Sequence, residues 1–333
     1  MNFPDWKLAG EILASFIALS VSFVLTSFGG MFNRRAKMTN IALEGIMITG
    51  ATAGLFVTYA CTNIVSQGFP SLLVVVLAVL ASGSAGFIFA MLNAIVKITF
   101  HGNQYVAGIA INILGTSLFV ILAYFLIGQD NLRLPSFASI TAETFGGTTR
   151  SISAFWDAFL LTAFNNLATI TALILIPISY YILDKSRLGF RLKAYEENEV
   201  ASRKLGIPIK KTRYTSIGIG GFIAGIGGFS FLYGLKAAFN GQIYGYGFLA
   251  LAIVLIGREQ PGRILFTSLL FSAIITLGDY AVQIFWLPNF HNIVNGDKIY
   301  YLLPYLLVLI VLAWACRRQN KQLENVKQSE EGK

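Results

Sequence analysis

Polar side chains inside apolar segments are the residues of this chain that could carry out chemistry. Glu44 lies four residues after Asn40 at the start of a long apolar run, and Asp279 lies in another such run. A carboxylate in an apolar environment is costly unless it is paired or faces a polar cavity, so such a residue indicates a functional site. Two interpretations stay open for the first pair. Either they line a solute pathway, or Asn40 caps a helix whose positive end Glu44 meets.

Amide side chains form a second polar set. Two of them precede a further apolar run and a third lies inside it. Amides can hydrogen-bond an uncharged solute, but the same groups, like Asp279, can instead tie neighbouring helices together. The candidate pathway residues are Asn40, Glu44, Asn103, Gln104, Asn112 and Asp279.

The sequence contains no recognisable catalytic, metal-binding or phosphate-binding motif. H-E-x-x-H and G-x-S-x-G are absent, and the two histidines and two cysteines form no cluster. The glycine-rich run 218–228 does not fit G-x-G-x-x-G. Its Gly221 and Gly225 have instead the spacing of small residues at a close helix–helix contact. The chain is therefore expected to be neither an enzyme nor a holder of its own cofactor or metal.

Residues 184–213 form a basic segment between apolar regions. This segment contains nine of the 25 Lys and Arg residues. Such a concentration is typical of a cytoplasmic loop in a multi-pass membrane protein. Within the segment, Tyr195–Gly206 has the pattern of a short polar helix closed by glycine. We expect this loop to bind a soluble partner.

Composition predicts an all-α, polytopic transmembrane bundle in the cell membrane. The chain is 55% hydrophobic and 12% charged, with a mean hydropathy of +0.66, whereas soluble domains have about 25% charged residues. The net charge of +9 is explained by positive loops beside anionic lipid, without nucleic acid as a partner.

Nine apolar segments are predicted to span the membrane. The seventh is short and flanked by glycines, so an irregular helix is expected there. With the N-terminus outside and the C-terminus inside, only five basic residues lie outside, which are Lys7, Arg133, Arg150, Lys236 and Lys298. The spans are Ile12–Phe28, Ile41–Ala60, Leu72–Ile95, Tyr105–Ile127, Ala158–Leu183, Thr215–Leu235, Tyr244–Ile256, Leu265–Trp286 and Tyr301–Cys316.

These spans make residues 1–316 one membrane domain, with an external loop at 128–157, the cytoplasmic loop at 184–213 and a polar tail at 317–333. Asn40–Gly45 opens one span from the inside, and Gly245–Ala250 opens another from the outside. Paired segments of this kind are typical of transporters built from inverted repeats.

Several motifs resemble the permeases of ABC importers that serve branched-chain amino acids, simple sugars and nucleosides. Thr39–Ala51 resembles the opening of a core helix in that family. The nucleoside and simple-sugar branch is the more similar one, through Gly102–Gln104 with Ala110–Leu114 and through Tyr246–Gly257. The resemblance extends over roughly residues 10–316.

The resemblance implies a division of labour among several proteins. This chain would form the path for nucleosides or nucleobases, while a separate ATPase subunit binds ATP and Mg²⁺. A second, non-identical permease and an extracytoplasmic substrate-binding lipoprotein would complete the importer. The cytoplasmic loop would dock in the ATPase through a coupling helix, with Glu196, Glu197, Glu199, Ala201 and Gly206 as its residues.

Other functions stay open on the sequence alone. A permease for sugars or branched-chain amino acids would have the same general pattern. A secondary transporter would also have inverted repeats and carboxylates in its spans, but it would need no ATPase. A membrane-embedded enzyme is disfavoured because no catalytic cluster is visible.

Overall fold

A computed structural model describes residues 6–62, 71–135, 167–234 and 238–280, together with the single positions 302, 305, 306 and 310. Within these ranges the only extended pairing is an isolated bridge between Leu132 and Phe239. The predicted all-α class is thereby confirmed for this part of the chain. The helices are α1 Trp6–Arg35, α2 Leu43–Ala60, α3 Ser71–Ala94 with a π-helical turn Ile95–Thr99, α4 Gln104–Ile127, α5 Leu167–Lys185, α6 Arg187–Glu197, α7 Glu199–Lys204, α8 Ile209–Gly234, α9 Tyr246–Ile256 and α10 Pro261–Asp279.

Six of these helices are long and apolar enough to cross a membrane, namely α1, α2, α3, α4, α8 and α10. Helix α9 has only 11 residues, which confirms the short seventh segment. Most of the external loop, most of the ninth span and all of the polar tail lie outside the described residues. The count of nine spans, the inverted repeat and the orientation of the termini stay predictions.

Helix α1 is longer than its predicted span, which ended at Phe28. It continues through Arg34 and Arg35 because both arginines find partners at its end. Arg34 Nε lies 2.7 Å from Glu259 Oε1, and Arg35 Nη2 donates to the Glu259 carbonyl at 3.2 Å. Apolarity alone therefore underestimates the length of the helix.

The same end of α1 meets the starts of two other helices. Arg213, in the first turns of α8, donates from Nε to the Ala36 carbonyl at 3.1 Å. The Tyr214 and Thr99 hydroxyls are 2.6 Å apart and join α8 to the π-helical turn that precedes α4. We call this region, defined by Arg34, Arg35, the loop 184–213 and the starts of α4 and α8, the basic end of the bundle.

Helix α8 lies at the centre and packs against α1, α2 and α3. A Cβ atom on Gly225 would lie 2.4 Å from the Ser82 carbonyl oxygen in α3, and one on Gly50 in α2 would lie 2.3 Å from the Gly225 carbonyl oxygen. Only glycine allows these backbones so close together. The small-residue interpretation of Gly221 and Gly225 is therefore confirmed.

Hydroxyl groups add polar ties between the two central helices. Ser22 in α1 donates to the Gly227 carbonyl at 2.8 Å, and Ser216 in α8 donates to the Phe32 carbonyl at 2.7 Å. Both serines are buried. Since lipid offers no hydrogen-bond partners, such bonds add to close packing as the forces that hold helices together.

Large apolar side chains remain exposed along α3 and α4, where a lipid environment would cover them. In α3 they follow one stripe toward the basic end, and in α4 they surround most of the helix. Examples are Leu80, Ile88, Leu92, Val106, Ile109, Ile113, Tyr124 and Phe125. The chain is a multi-pass membrane protein.

Replacing Gly225 by Ala should destabilise the bundle by about 1–3 kcal/mol, because the new methyl group overpacks the contact with Ser82. Gly262→Ala is the matched control, since a Cβ atom there would meet nothing within 4 Å. The control should leave stability unchanged or raise it slightly. Thermal unfolding in detergent measures both, and equal unfolding midpoints would contradict the packing described here.

Candidate functional site

The Glu44 carboxylate binds the start of another helix. Its Oε1 accepts a hydrogen bond from the Gly245 N–H at 2.8 Å, and its Oε2 accepts one from the Gly247 N–H at 2.7 Å. Gly245 is the N-cap of α9, so the negative charge faces the positive end of the α9 dipole. The Tyr305 hydroxyl donates to the neighbouring Tyr244 carbonyl at 2.9 Å, which brings a residue of the predicted ninth span to the same place.

Asn112, which lies in α4, holds the start of α2. Its Oδ1 accepts from the Gly45 N–H at 2.7 Å, and its Nδ2 donates to the Ile41 carbonyl at 3.2 Å. Two helix starts are thus held together by a carboxylate and an amide. We call this group, formed by Glu44, Gly45, Asn112, Gly245 and Gly247, the Glu44 junction.

The Glu44 junction lies deep in the bundle. Helix α9 runs beside α1 in the same direction: the Phe23 and Tyr246 rings are 5.3 Å apart, Ser27 Oγ donates to the Ala250 carbonyl, and Arg34 pairs with Glu259 just after α9. The junction is therefore level with Phe23. At a rise of 1.5 Å per residue, that level is about 18 Å from the basic end of α1 and about 25 Å from its other end.

Helices α2 and α9 leave the junction in opposite directions. Helix α9 runs toward the basic end, where Glu259 follows it. Helix α2 runs beside α4, which begins at the basic end, and it ends where the Tyr59 hydroxyl donates to the Arg133 carbonyl at 2.7 Å. Both helices thus begin inside the bundle and extend toward opposite faces.

Asn40 lies next to the junction in a buried amide pair. Its Oδ1 accepts from the Ala42 N–H at 3.1 Å and from Asn93 Nδ2 at 2.7 Å. Sequence reasoning missed Asn93, although an amide inside the apolar run of the third span was a signal of the same kind as Asn112.

The helix-capping interpretation is wrong for Asn40, whereas Glu44 does lie in the first turn of α2. Helix α2 begins at Leu43, and its N-cap is Ala42, which makes no side-chain cap. Asn40 stabilises the turn before the helix, and the Glu44 carboxylate accepts hydrogen bonds from the start of α9 in addition to lying at the positive end of α2. Close approach makes this possible, because a Cβ atom on Gly247 would lie 2.5 Å from Glu44 Cα.

The structure does not bring the remaining pathway candidates to this junction. Asn103 is the N-cap of α4 and accepts from the Tyr105 N–H at 2.9 Å. Gln104 follows it, eight residues or about 12 Å before Asn112. Asp279 ends α10 beside Tyr280, whose hydroxyl bonds to Ser15 near the start of α1. These three residues therefore lie nearer the two faces of the bundle.

The loop 184–213 folds into two short helices, α6 and α7, which we call the hairpin. The pattern predicted one polar helix over Tyr195–Gly206, but the backbone is extended at Asn198, whose Oδ1 accepts from the Ala201 N–H at 3.0 Å and caps α7. Gly206 has a φ of +74° and donates from its N–H to the Arg203 carbonyl. Glycine closes the helix there, as the sequence predicted, because it adopts this conformation without strain.

The predicted coupling residues lie on the surface of the hairpin. Glu196, Glu197 and Ala201 are exposed, and the half-buried Glu199 pairs with Arg203 at 2.7 Å. Gly206 is exposed as well. The hairpin therefore presents these groups to whatever lies beyond the basic end.

Tyr195 fastens the hairpin to the bundle. Its ring is buried and lies between two cations, with Lys37 Nζ at 5.0 Å and the Arg213 guanidinium at 5.7 Å from the ring centre. Cation–π contacts of this kind contribute about 0.5–2 kcal/mol each. Burial raises the pKa of the Tyr195 hydroxyl, so the ring stays neutral.

Two carboxylates of this region have shifted pKa values. Partial burial raises the pKa of Glu196, although much of its side chain is exposed, and the neighbouring Glu259 carboxylate raises it further. By contrast, the hydrogen bond from Lys193 Nζ, at 2.7 Å, lowers the pKa of Asp184. Glu196 and Glu259 thus bring like charges together where the hairpin meets the end of α9.

Replacing Glu44 by Ala should cost about 2–5 kcal/mol of stability, because it leaves the buried N–H groups of Gly245 and Gly247 without an acceptor. Glu44→Gln keeps one acceptor oxygen and should cost less. Glu197→Ala removes an exposed carboxylate and serves as the control. The unfolding midpoints of the purified proteins measure the effect, and a Glu44→Ala variant as stable as the control would contradict the junction.

Comparison with known proteins agrees with these features. Two nucleoside ABC transporter permease proteins of Lactococcus lactis subsp. cremoris resemble this chain. NupC is 26% identical over 91% of this chain and 91% of its own length. NupB is 27% identical over 80% of this chain and 70% of its own length. The guanosine ABC transporter permease protein NupQ of Bacillus subtilis is 30% identical over 92% of both chains. A putative glucose ABC transporter permease protein of Haloferax volcanii is 26% identical over 94% of this chain and 93% of its own.

The family model for permease components of branched-chain amino acid transport systems matches residues 12–312. That range contains all of the junction, the hairpin and α8, and it begins within α1. The chain therefore belongs to this family of ABC transporter permeases.

Proposed function

We propose that this chain forms the translocation path of an ATP-driven importer for nucleosides or nucleobases. The observation that carries the proposal is the Glu44 junction, where two helices begin inside the bundle at the depth of Phe23. Interrupted helices near the midplane form the solute sites of many transporters. The nucleoside assignment is supported by the names of the relatives NupC and NupQ.

The chemistry of the junction favours an uncharged solute. Both Glu44 oxygens are occupied by backbone N–H groups, so the carboxylate and the α9 dipole compensate each other. The groups beside it are the Asn40, Asn93 and Asn112 amides and aromatic rings, which suit a neutral molecule with hydrogen-bonding edges. A glucose permease among the relatives keeps sugars as the alternative substrate class.

The opposite directions of α2 and α9 support an inverted repeat. Each helix follows an irregular segment that enters the bundle from one end, 36–42 from the basic end and 240–245 from the other. We place the basic end in the cytoplasm because 20 of the 25 Lys and Arg then lie inside. With nine spans this puts the N-terminus outside and the C-terminus inside.

Partners supply the energy and the first binding step in this proposal. The hairpin docks into a separate ATPase subunit, which binds ATP and Mg²⁺. A second, non-identical permease completes the path, a pairing supported by the two nucleoside permeases of Lactococcus lactis that resemble this chain. A substrate-binding lipoprotein delivers the solute from outside.

Uptake of radiolabelled guanosine, uridine, glucose and leucine by vesicles holding the complete transporter tests the substrate class. Uptake of the nucleosides alone is expected, and only with internal ATP. Uptake by the isolated chain without an ATPase would show a secondary transporter instead.

A negative charge on the hairpin, or a proline at its end, should uncouple the hairpin from the ATPase. Ala201→Asp and Gly206→Pro are expected to reduce solute-stimulated ATP hydrolysis and uptake at least tenfold, because Ala201 is exposed on α7 and proline cannot adopt the Gly206 conformation. Gln129→Asp adds the same charge to an exposed site just after the end of α4, far from the hairpin, and should leave both activities unchanged. Normal transport and normal ATPase assembly in both hairpin variants would refute the coupling role.

Single cysteines at positions 40, 41, 44 and 48, in a chain without Cys61 and Cys316, test the pathway role of the junction. Labelling by an aqueous thiol reagent should be slow at rest, since Asn40, Glu44 and Ile48 are buried, and should become faster during ATP turnover. Uniform protection in all states would assign these residues to helix packing alone.

A further inference from the structure

A second polar site lies at the basic end, outside the junction and beside α7 of the hairpin, whose Glu199 and Arg203 line it. Here a cavity of about 480 Å³ opens between the π-helical turn after α3 and the segment that joins α7 to α8. Its floor includes Ile98, which is almost fully buried. The other lining residues that matter for its charge are His101, Arg203, Lys210, Lys211 and Arg213.

The charge of this cavity is strongly positive. Among the residues that the structure describes, Glu199 is the one carboxylate that lines it, and Glu199 already pairs with Arg203. Arg213 is held by Tyr195 and by the Ala36 carbonyl. Lys210 and Lys211 are exposed and form no ion pair within the part of the chain that the structure describes, which leaves two uncompensated cations at the cavity.

The backbone at the start of α8 adds to this positive potential. The first intrahelical bond runs from the Thr212 N–H to the Pro208 carbonyl, so the N–H groups of the three preceding residues have no partner inside the helix. No acidic residue occurs in this first turn. The positive end of a 26-residue helix therefore faces the same space as the two free lysines.

The apolar side chains around the cavity indicate the source of an anion that binds there. Phe100 and Tyr105, which flank His101, are 73% and 51% exposed, and Leu205 on the joining segment is 77% exposed. Phe100 and Tyr105 follow the end of α3, whose exposed apolar stripe passes through Ile88, Leu92 and Ile95. The cavity thus lies where a surface suited to acyl chains ends and basic side chains begin.

We propose that this cavity, the basic cavity, binds the phosphate of an anionic phospholipid. Lys210, Lys211 and the start of α8 hold the phosphate, and the acyl chains lie along the exposed faces of α3 and α4. Only residues 205–208 separate α7 from α8, so an occupied cavity also restrains the segment that positions the hairpin.

Binding to the full-length purified chain tests the proposal, with native mass spectrometry and nanodiscs of defined composition as the measurements. Phosphatidylglycerol should bind more tightly than phosphatidylcholine. The double variant Lys210→Gln/Lys211→Gln should bind phosphatidylglycerol about 30-fold more weakly, since each basic residue near a membrane surface contributes about 1 kcal/mol. Lys185→Gln/Arg187→Gln removes the same charge from exposed positions outside the cavity and should bind like the unmodified chain.

Three outcomes would overturn the proposal. One is equal loss of binding in both double variants, which would indicate a diffuse charge effect. Another is displacement of the lipid by millimolar inorganic phosphate, which would assign the cavity to a free anion. The third is protection of Lys210 and Lys211 from amine labelling only when the ATPase subunit is present, which would assign them to a protein contact. Lipid-dependent protection in the isolated chain supports the phospholipid.

Discussion

The contact between the Glu44 carboxylate and the first N–H groups of α9 is the interaction on which the architecture depends. A helix that begins inside an apolar bundle exposes backbone donors where no water can satisfy them, and each unpaired donor costs about 1–3 kcal/mol. Glu44 satisfies two of these donors at once. Asn112 satisfies one such donor of α2, the Gly45 N–H. Without such partners, a chain of this composition would need uninterrupted helices.

Glycine makes this arrangement compatible with dense packing. Gly247 lets α9 approach the backbone of Glu44, and Gly225 lets α8 approach α2 and α3. The same residue type thus serves the polar junction and the apolar core, because both require backbones to lie nearly in contact. In a lipid environment, where apolar burial gives little advantage over contact with acyl chains, this close packing is a main source of helix association.

Much of the fold could be predicted from the sequence because the signals were local. Apolar runs predicted α2, α4 and the short α9, and Gly206 predicted the end of α7. The partners of Glu44 could not be predicted, since Gly245 and Gly247 lie about 200 residues away in the sequence. Their donors are backbone N–H groups, which nearly every residue type has. The break at Asn198 was missed because a capping asparagine and a helical one look alike in a polar segment. Asn103, Gln104 and Asp279 are polar residues beside or within apolar runs, as Asn112 is, and only their positions at the ends of α4 and α10 separate them from it.

The short α9 also connects the two ends of this system. One terminus is bound by Glu44, and Glu259, three residues beyond the other, is bound by Arg34 beside Glu196 of the hairpin. A rod of 11 residues, about 16 Å long, is too short to bend appreciably. Since the Glu259 N–H donates to the Val254 carbonyl inside α9, a displacement of Glu259 would carry Gly245 with it, and a push at the surface would reach the centre of the bundle as a translation of one helix start.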